Sequence, residues 1–249
     1  MVKFIISFIK IFMAAIIAIL FSSCNYNINI GKDIVKGNGN VVIKTRTVNG
    51  DFTGIKVSQG LEVIVEQGSE VAVVVEADEN LHEEIITKVE GNVLVVCIEK
   101  NRGIRNAEEK KIYVRMPKIK SLKSSSAGSI EVLNTIKTNS LDLTCSSAGE
   151  IEAVIEAIEV TATTSSSGEI ELKGRAESLI TKSSSGSSIE AKNLVVKDVE
   201  SKASSGSSTE VNPVESFKAV ASSGASIYYV NEPLNHISKK TSSGGSIKR

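Results

Sequence analysis

Five glutamates, Glu131, Glu152, Glu171, Glu190 and Glu210, recur at steps of 21, 19, 19 and 20 residues, and Glu150 and Glu169 stand two positions before the second and third. Carboxylates brought together in that number could hold calcium, which takes several oxygen ligands at once. The glycine-aspartate pattern of calcium-binding solenoid repeats is missing, so the competing expectation is a soluble, charge-protected face, balanced by Lys123, Lys182, Lys202 and Lys240. Serine is abundant, yet a nucleophilic serine needs a base. The only histidines are His82 and His236, neither with a neighbour to orient it, and both are expected at the surface. No HExxH, CxxC, phosphate loop, dinucleotide fingerprint or nucleophile elbow occurs. These residues predict a protein that is not an enzyme, with no catalytic residue, no metal and no cofactor.

The glutamates belong to a longer phrase. SSAGSIE (125–131) returns as SSAGEIE, SSSGEIE, SSGSSIE, SSGSSTE, SSGASIY and SSGGSIK, and its sixth residue steps by 21, 19, 19, 20, 18 and 20. A period near twenty is the mark of a solenoid, too short for paired helices and lacking a leucine-rich consensus. Parity gives the interior. Five residues before the phrases stand Leu141, Val160, Leu179, Val199, Phe217 and Ile237, a column broken only at Lys120 in the first coil; one before stand Ser124, Cys145, Thr164, Ser183, Ala203, Ala221 and Thr241. The isoleucine column continues the lining. Stacked coils lie about 4.8 Å apart, so each side chain rests on its equivalent. A tight corner between sheets favours glycine and serine, and Gly128, Gly149, Gly168, Gly186, Gly206, Gly224 and Gly244 are expected to supply its left-handed conformation. A serine ladder that binds sugar hydroxyls is the functional alternative.

Upstream of this array, strands alternate with turns from Val41 to Pro117, and residues 77–90 (ADENLHEEIITKVE) are the one stretch expected to form a short helix, with Asp78 as its N-cap. Lys3 and Lys10 precede the apolar run Ile11 to Phe21, followed by Ser22-Ser23-Cys24. A basic start, an apolar centre and small residues describe an export signal. The cysteine after it resembles the bacterial lipoprotein signal, with Phe21 where leucine is usual. The competing expectation is a transmembrane anchor. The domain plan is a lipoprotein signal peptide over 1–23, lipid on Cys24, a tether over 24–40 and a β-helix over 41–249, irregular in 41–117 and regular in 118–249. Cys97 and Cys145 are expected as buried free thiols. Lysine plus arginine balances aspartate plus glutamate, 29 against 29, so no net field points to nucleic acid or an anionic lipid surface.

The segment GNGNVVIKTRTVNGDFTGIKVSQGLEVIVEQGSEVAVVVEADENL (37–81), followed by the serine-glycine phrases, resembles a Bacteroidetes family of exported proteins, the "putative autotransporter adhesin, head GIN domain" family. The family's name triplet falls on Gly60-Leu61-Glu62, which differs from it at two positions. The resemblance implies an all-β fold, a right-handed parallel β-helix shaped like the pectin lyases. It also implies adhesion without catalysis. The expected protein is a lipid-anchored cell-envelope adhesin of the outer membrane, offering a rigid surface to glycan or protein ligands and held to the membrane by its N-terminal lipid. The alternatives are a periplasm-facing structural or signalling module, since no acidic residue follows Cys24 until Asp33, and a polysaccharide lyase or hydrolase. SSGGSIKR is expected to leave an open sheet edge, filled by self-association or by a neighbouring loop.

Overall fold

The computed structural model describes residues 33–249; the expected signal peptide, Cys24 and most of the expected tether lie outside them. Residues Ile34–Arg249 form one compact unit. Its first strands are β1 (Ile34–Lys36), β2 (Val41–Thr45), β3 (Gly54–Val57), β4 (Glu62–Gln67), β5 (Ala72–Asp78), β6 (Ile85–Glu90), β7 (Val93–Ile98), β8 (Gly103–Arg105) and β9 (Lys110–Met116). The repeat then supplies β10 (Ser121–Ser125), β11 (Ser129–Val132), β12 (Ile136–Ser146), β13 (Glu150–Thr164), β14 (Glu169–Ser183), β15 (Ser188–Ala203), β16 (Ser208–Ala221), β17 (Ser226–Tyr229), β18 (His236–Thr241) and β19 (Ser246–Lys248).

From β10 onward every pairing is parallel and joins one coil to the next, so the chain is a parallel β-solenoid. Ile130, Ile151, Ile170 and Ile189 are ladder partners in turn, and Thr209, Ile227 and Ile247 continue their column. Ile130 through Ile227 are buried throughout. Leu141, Val160, Leu179, Val199 and Phe217 form the facing column, equally buried. Aliphatic side chains in register fill the narrow interior because each is offered a neighbour of its own shape.

The N-terminal end departs from chain order. The coil of β3 and β4 stacks on β10 and β11, although Ile55 and its partner Leu122 are 67 residues apart in sequence. On its other side the same coil stacks on β7 and β9, with Ile55 opposite Leu94 and Val63 opposite Ile112. The intervening chain therefore steps back one coil before the repeat runs forward. Beyond that coil the ladder turns antiparallel: β6 pairs with β7, β5 with β9 and β2 with β5.

The short helix expected over 77–90 does not form. Only Glu79–Leu81 make a single 3-10 turn, Asp78 gives it no side-chain cap, and Ile85–Glu90 are strand. Antiparallel pairing with β7 overrides the local preference. The strand Ile34–Lys36 begins within the expected tether and pairs with Gly103–Arg105.

At the far end, β18 and β19 form the last described coil. Lys239 takes the inward column behind Ala219. Its ammonium folds over the Tyr229 ring, 4.9 Å from the centroid, and donates to the Tyr229 hydroxyl at 2.9 Å. Tyr229 in turn packs on Phe217, with ring centroids 5.0 Å apart. A lysine on the inward column discourages a further coil from stacking, because that coil would bury its charge.

Candidate binding surface

The serine-glycine phrases are turns of one kind. Ser126 and Ala127, Ser147 and Ala148, and Ser166 and Ser167 all have φ between 49° and 60°. Ser185 and Gly186, Ser205 and Gly206, Ser223 and Gly224, and Ser243 and Gly244 are left-handed too, with φ between 47° and 76°. In six of these seven turns the fourth residue's N–H donates to the first residue's carbonyl, as Gly149 does to Ser146 at 2.9 Å. Two successive left-handed residues closed by such a bond are a type I′ turn. Gln59 and Gly60, with φ of 62° and 68°, build an eighth copy in the β3–β4 coil. The third residue's N–H of each turn reaches the second residue's carbonyl of the next, from Gly60 to Ser126 and onward to Gly224 and Ser243. The corners are thus ladders too.

The seven corner glycines serve two different needs. Gly186, Gly206, Gly224 and Gly244 hold a left-handed position, as expected. Gly128, Gly149 and Gly168 do not; they stand one place later, and the left-handed work there falls to serine and alanine. Their reason is space. A Cβ on Gly149 would lie 2.6 Å from the backbone of Ser124, and one on Gly168 2.7 Å from that of Cys145. In three later turns this place holds Ser187, Ser207 or Ala225, all buried. There the serine hydroxyls join an interior chain: Thr164 with Ser187 at 2.9 Å, and Ser183 with Ser207 at 3.0 Å and Thr209 at 2.8 Å.

Outside the core, the columns on either side of the turns differ in charge. After the turn, Glu131, Glu152, Glu171, Glu190 and Glu210 are ladder neighbours. Lys173 spans Glu152 and Glu171 at 2.8 and 2.9 Å, and Lys192 spans Glu190 and Glu210 at 3.7 and 3.0 Å. These two lysines, not Lys123, Lys182, Lys202 and Lys240, balance the glutamates, and their side chains were missed because residues two places downstream share a face. Hydrogen bonds to Glu152 and Glu171 push the Lys173 ammonium above its usual range. Burial, followed by the charges of Glu190, Glu150 and Glu171, pushes the Glu169 carboxyl up. Among the described residues no group of three or more His, Cys, Asp or Glu is arranged to hold a metal ion. Before the turn, Lys56, Lys123, Thr144, Thr163, Lys182, Lys202, Val220 and Lys240 form the facing outward column, which contains no acidic residue.

A family model described as "putative auto-transporter adhesin, head GIN domain" matches residues 51–233. The chain belongs to this family. Among solved structures, a "putative adhesin" from Bacteroides fragilis NCTC 9343 is similar at 21% identity and a TM-score of 0.80, covering 86% of this chain and 99% of that one. A "putative lipid binding protein" from Parabacteroides distasonis ATCC 8503 is 21% identical with a TM-score of 0.71, covering 87% and 99%. A "putative adhesin" from Parabacteroides merdae ATCC 43184, also 21% identical, has a TM-score of 0.67 and coverage of 87% and 98%. At this identity the structures share the fold. No curated protein matches the chain.

Within this head GIN domain, the triplet Gly60-Leu61-Glu62 runs from the left-handed turn residue through a fully buried leucine to the strand. A shallow groove of about 490 Å³ crosses the side where β13, β14 and β15 bend, floored by Ala157 and Ala176 and edged by Ile158, Val195, Arg175 and Glu156. Arg175 and Glu156 are paired across it at 2.9 Å. Sequence reading missed this groove. Gly174, which takes the ladder place of Ile155 and Leu194, was its available signal. The two histidines part company: His236 is exposed as expected, whereas His82 is buried at 2% exposure. His82 Nε2–H donates to the Val42 carbonyl at 3.0 Å, and Arg46 donates to the His82 carbonyl. Cys97 and Cys145 are free thiols, and Cys145, enclosed by the core, is pushed up to about 12 by burial first and Glu150 second.

Proposed function

We propose that this protein is a non-catalytic, lipid-anchored adhesin of the cell envelope, its β-solenoid offering a stiff, repetitive surface to glycan or protein ligands. The observation that carries this reading is the coil-over-coil ladder that stacks outward side chains on a packed core. The outward column after the turns repeats glutamate in five consecutive coils, about 4.8 Å apart. A ligand with a repeat of its own can meet many such groups at once with little ordering cost on the protein's side. Membership of the adhesin family supports the same reading. Cys24 carries the lipid, and two or three acyl chains anchor far more firmly than one.

Two measurements test this. Cys24→Ala abolishes metabolic incorporation of labelled fatty acid, while retained labelling removes the anchor. Deletion of the protein lowers adherence of the cells to surfaces coated with host or bacterial glycans, and unchanged adherence removes the adhesin role. Protease shaving of intact cells separates a surface-exposed domain from a periplasm-facing one, for which the lack of acidic residues just after Cys24 argues.

A further inference from the structure

The net charge of zero conceals a molecule whose charges are sorted by face. The outward column after the turns is glutamate in five consecutive coils, and its lysine partners are already engaged by two carboxylates each. The outward column before the turns is different. Of its five lysines only Lys202 has an ion pair, with Glu200 at 2.9 Å; Lys56, Lys123, Lys182 and Lys240 have none among the described residues. Lys56 sits beside Lys123, and Lys182 beside Lys202, in direct ladder register. Like charges held about 4.8 Å apart by a backbone ladder repel each other in the free protein. An anion laid across them relieves that repulsion.

The same column borders a shallow groove of about 370 Å³. Lys182 and Lys202 form one wall, and Ser165, Ser184, Ser204 and Ser222, the first residues of four successive turns, form the other. The interior hydroxyls of Thr164, Ser183, Ser187 and Ser207 are all hydrogen-bonded. The hydroxyls of the four groove serines have no hydrogen-bond partner among the described residues and face outward beside the lysines. A row of ammonium groups, of which Lys202 alone shares an ion pair, beside a row of free hydroxyls, both parallel to the solenoid axis, matches a linear ligand bearing both anions and hydroxyls.

We propose that this lysine-serine face binds an acidic polysaccharide, a linear glycan carrying carboxylate or sulfate groups, lying along the solenoid axis. The inference rests on the adhesin reading and names its ligand class and face. Ammonium groups meet the anions, the serine hydroxyls exchange hydrogen bonds with sugar hydroxyls, and the threonine coils between the lysine pairs leave room for neutral stretches of the chain. A flat anionic membrane fits less well, because the groove offers no large apolar side chain for insertion beyond Val220.

The test measures binding of the full chain, in micelles of a neutral detergent, to polygalacturonate, dextran sulfate and neutral dextran at low and high salt. Wild type binds one or both acidic polymers, with affinity falling as salt rises, and ignores neutral dextran. Preference between the two polymers tells carboxylate from sulfate. The double variant Lys182→Gln/Lys202→Gln loses about tenfold in affinity, as removal of two solvent-exposed ion pairs implies, while Lys173→Gln/Lys192→Gln on the opposite face does not. Equal binding by all three proteins overturns the proposal. So does preferential capture by phosphatidylserine vesicles, which makes the face a membrane contact. Salt-sensitive dimers disrupted by variants of either face also overturn it, since the lysines then meet a second copy's glutamates. If cells bearing Lys182→Gln/Lys202→Gln adhere like wild type while the deletion strain does not, this proposal falls and the adhesin reading stands.

Discussion

The repeat and the N-terminal end solve the same problem with opposite means. From β10 onward, order comes from sameness: isoleucine on isoleucine, serine turn on serine turn, each coil held by the coils beside it. At the N-terminal end single residues do what the stack does elsewhere. The Asp78 carboxylate, fully buried, accepts the N–H groups of Gly39 at 2.8 Å, Glu108 at 2.9 Å and Glu109 at 3.1 Å, tying two separate loops to β5. Asn80 adds bonds to the Lys36 carbonyl and the Asn38 N–H. A repeat spreads its stability over many equivalent contacts, whereas the irregular end depends on a few that nothing duplicates.

The largest effect is expected in the repeat, where a single methyl group meets backbone. Gly168→Ala places a Cβ 2.7 Å from the Cys145 carbonyl carbon, and no flexible side chain can yield. We expect a loss of about 3 kcal/mol in denaturant unfolding. Gly206→Ala sharpens the point, because nothing lies within 4 Å of its added Cβ and only the left-handed conformation is penalised. Ala127 and Ala148 already tolerate that conformation, so the expected loss is about 1 kcal/mol. Equal losses would show that the two glycine columns answer one need after all.

Next in size is Asp78→Asn. Burial alone would raise the Asp78 carboxyl, but the backbone donors from Gly39, Glu109 and Glu108 outweigh it and hold the group below the ordinary carboxylate value. An amide in its place keeps the shape but turns an NH₂ toward a backbone N–H, at an expected cost of about 2 kcal/mol. Hydrogen exchange should quicken in β2, β5 and the 106–109 loop while the coils from β12 to β16 stay protected. Uniform loosening of both regions would erase the contrast between them.

The repeat was legible because its signal is periodic. A column of equal residues at equal steps can be assigned to inside or outside by parity alone, and Leu141, Val160 and Leu179 lie where that rule puts them. The corner was legible as a corner, but Gly128, Gly149 and Gly168 slip one place relative to the later glycines, which the letters alone do not explain. The N-terminal order was not legible, since no local feature says that Ile55 will pair with Leu122 and Leu94 at once. The groove over Ala157 and Ala176 was missed because its one signal, Gly174 in the ladder place of Ile155 and Leu194, shows only once the coils are in register.

The smallest effect concerns pH and belongs to the N-terminal end alone. Burial pushes the His82 imidazole below its usual range; Lys44 and Arg46 add to this, and the Val42 acceptor opposes it. The residues packed around it are thus cationic or carbonyl, so the neutral ring is the folded form. In the unfolded chain His82 protonates near its ordinary value of 6.5. Between that value and the lower folded one the unfolded state holds more protons, so stability present above about pH 6.5 is lost as the pH falls. Denaturant midpoints of wild type and His82→Gln across pH 5 to 7.5 should therefore diverge, wild type declining toward acid and the variant staying nearly flat. Parallel curves would mean that His82 is already protonated in the folded protein, and the N-terminal end would then carry a buried cation in place of a neutral hydrogen-bonded ring.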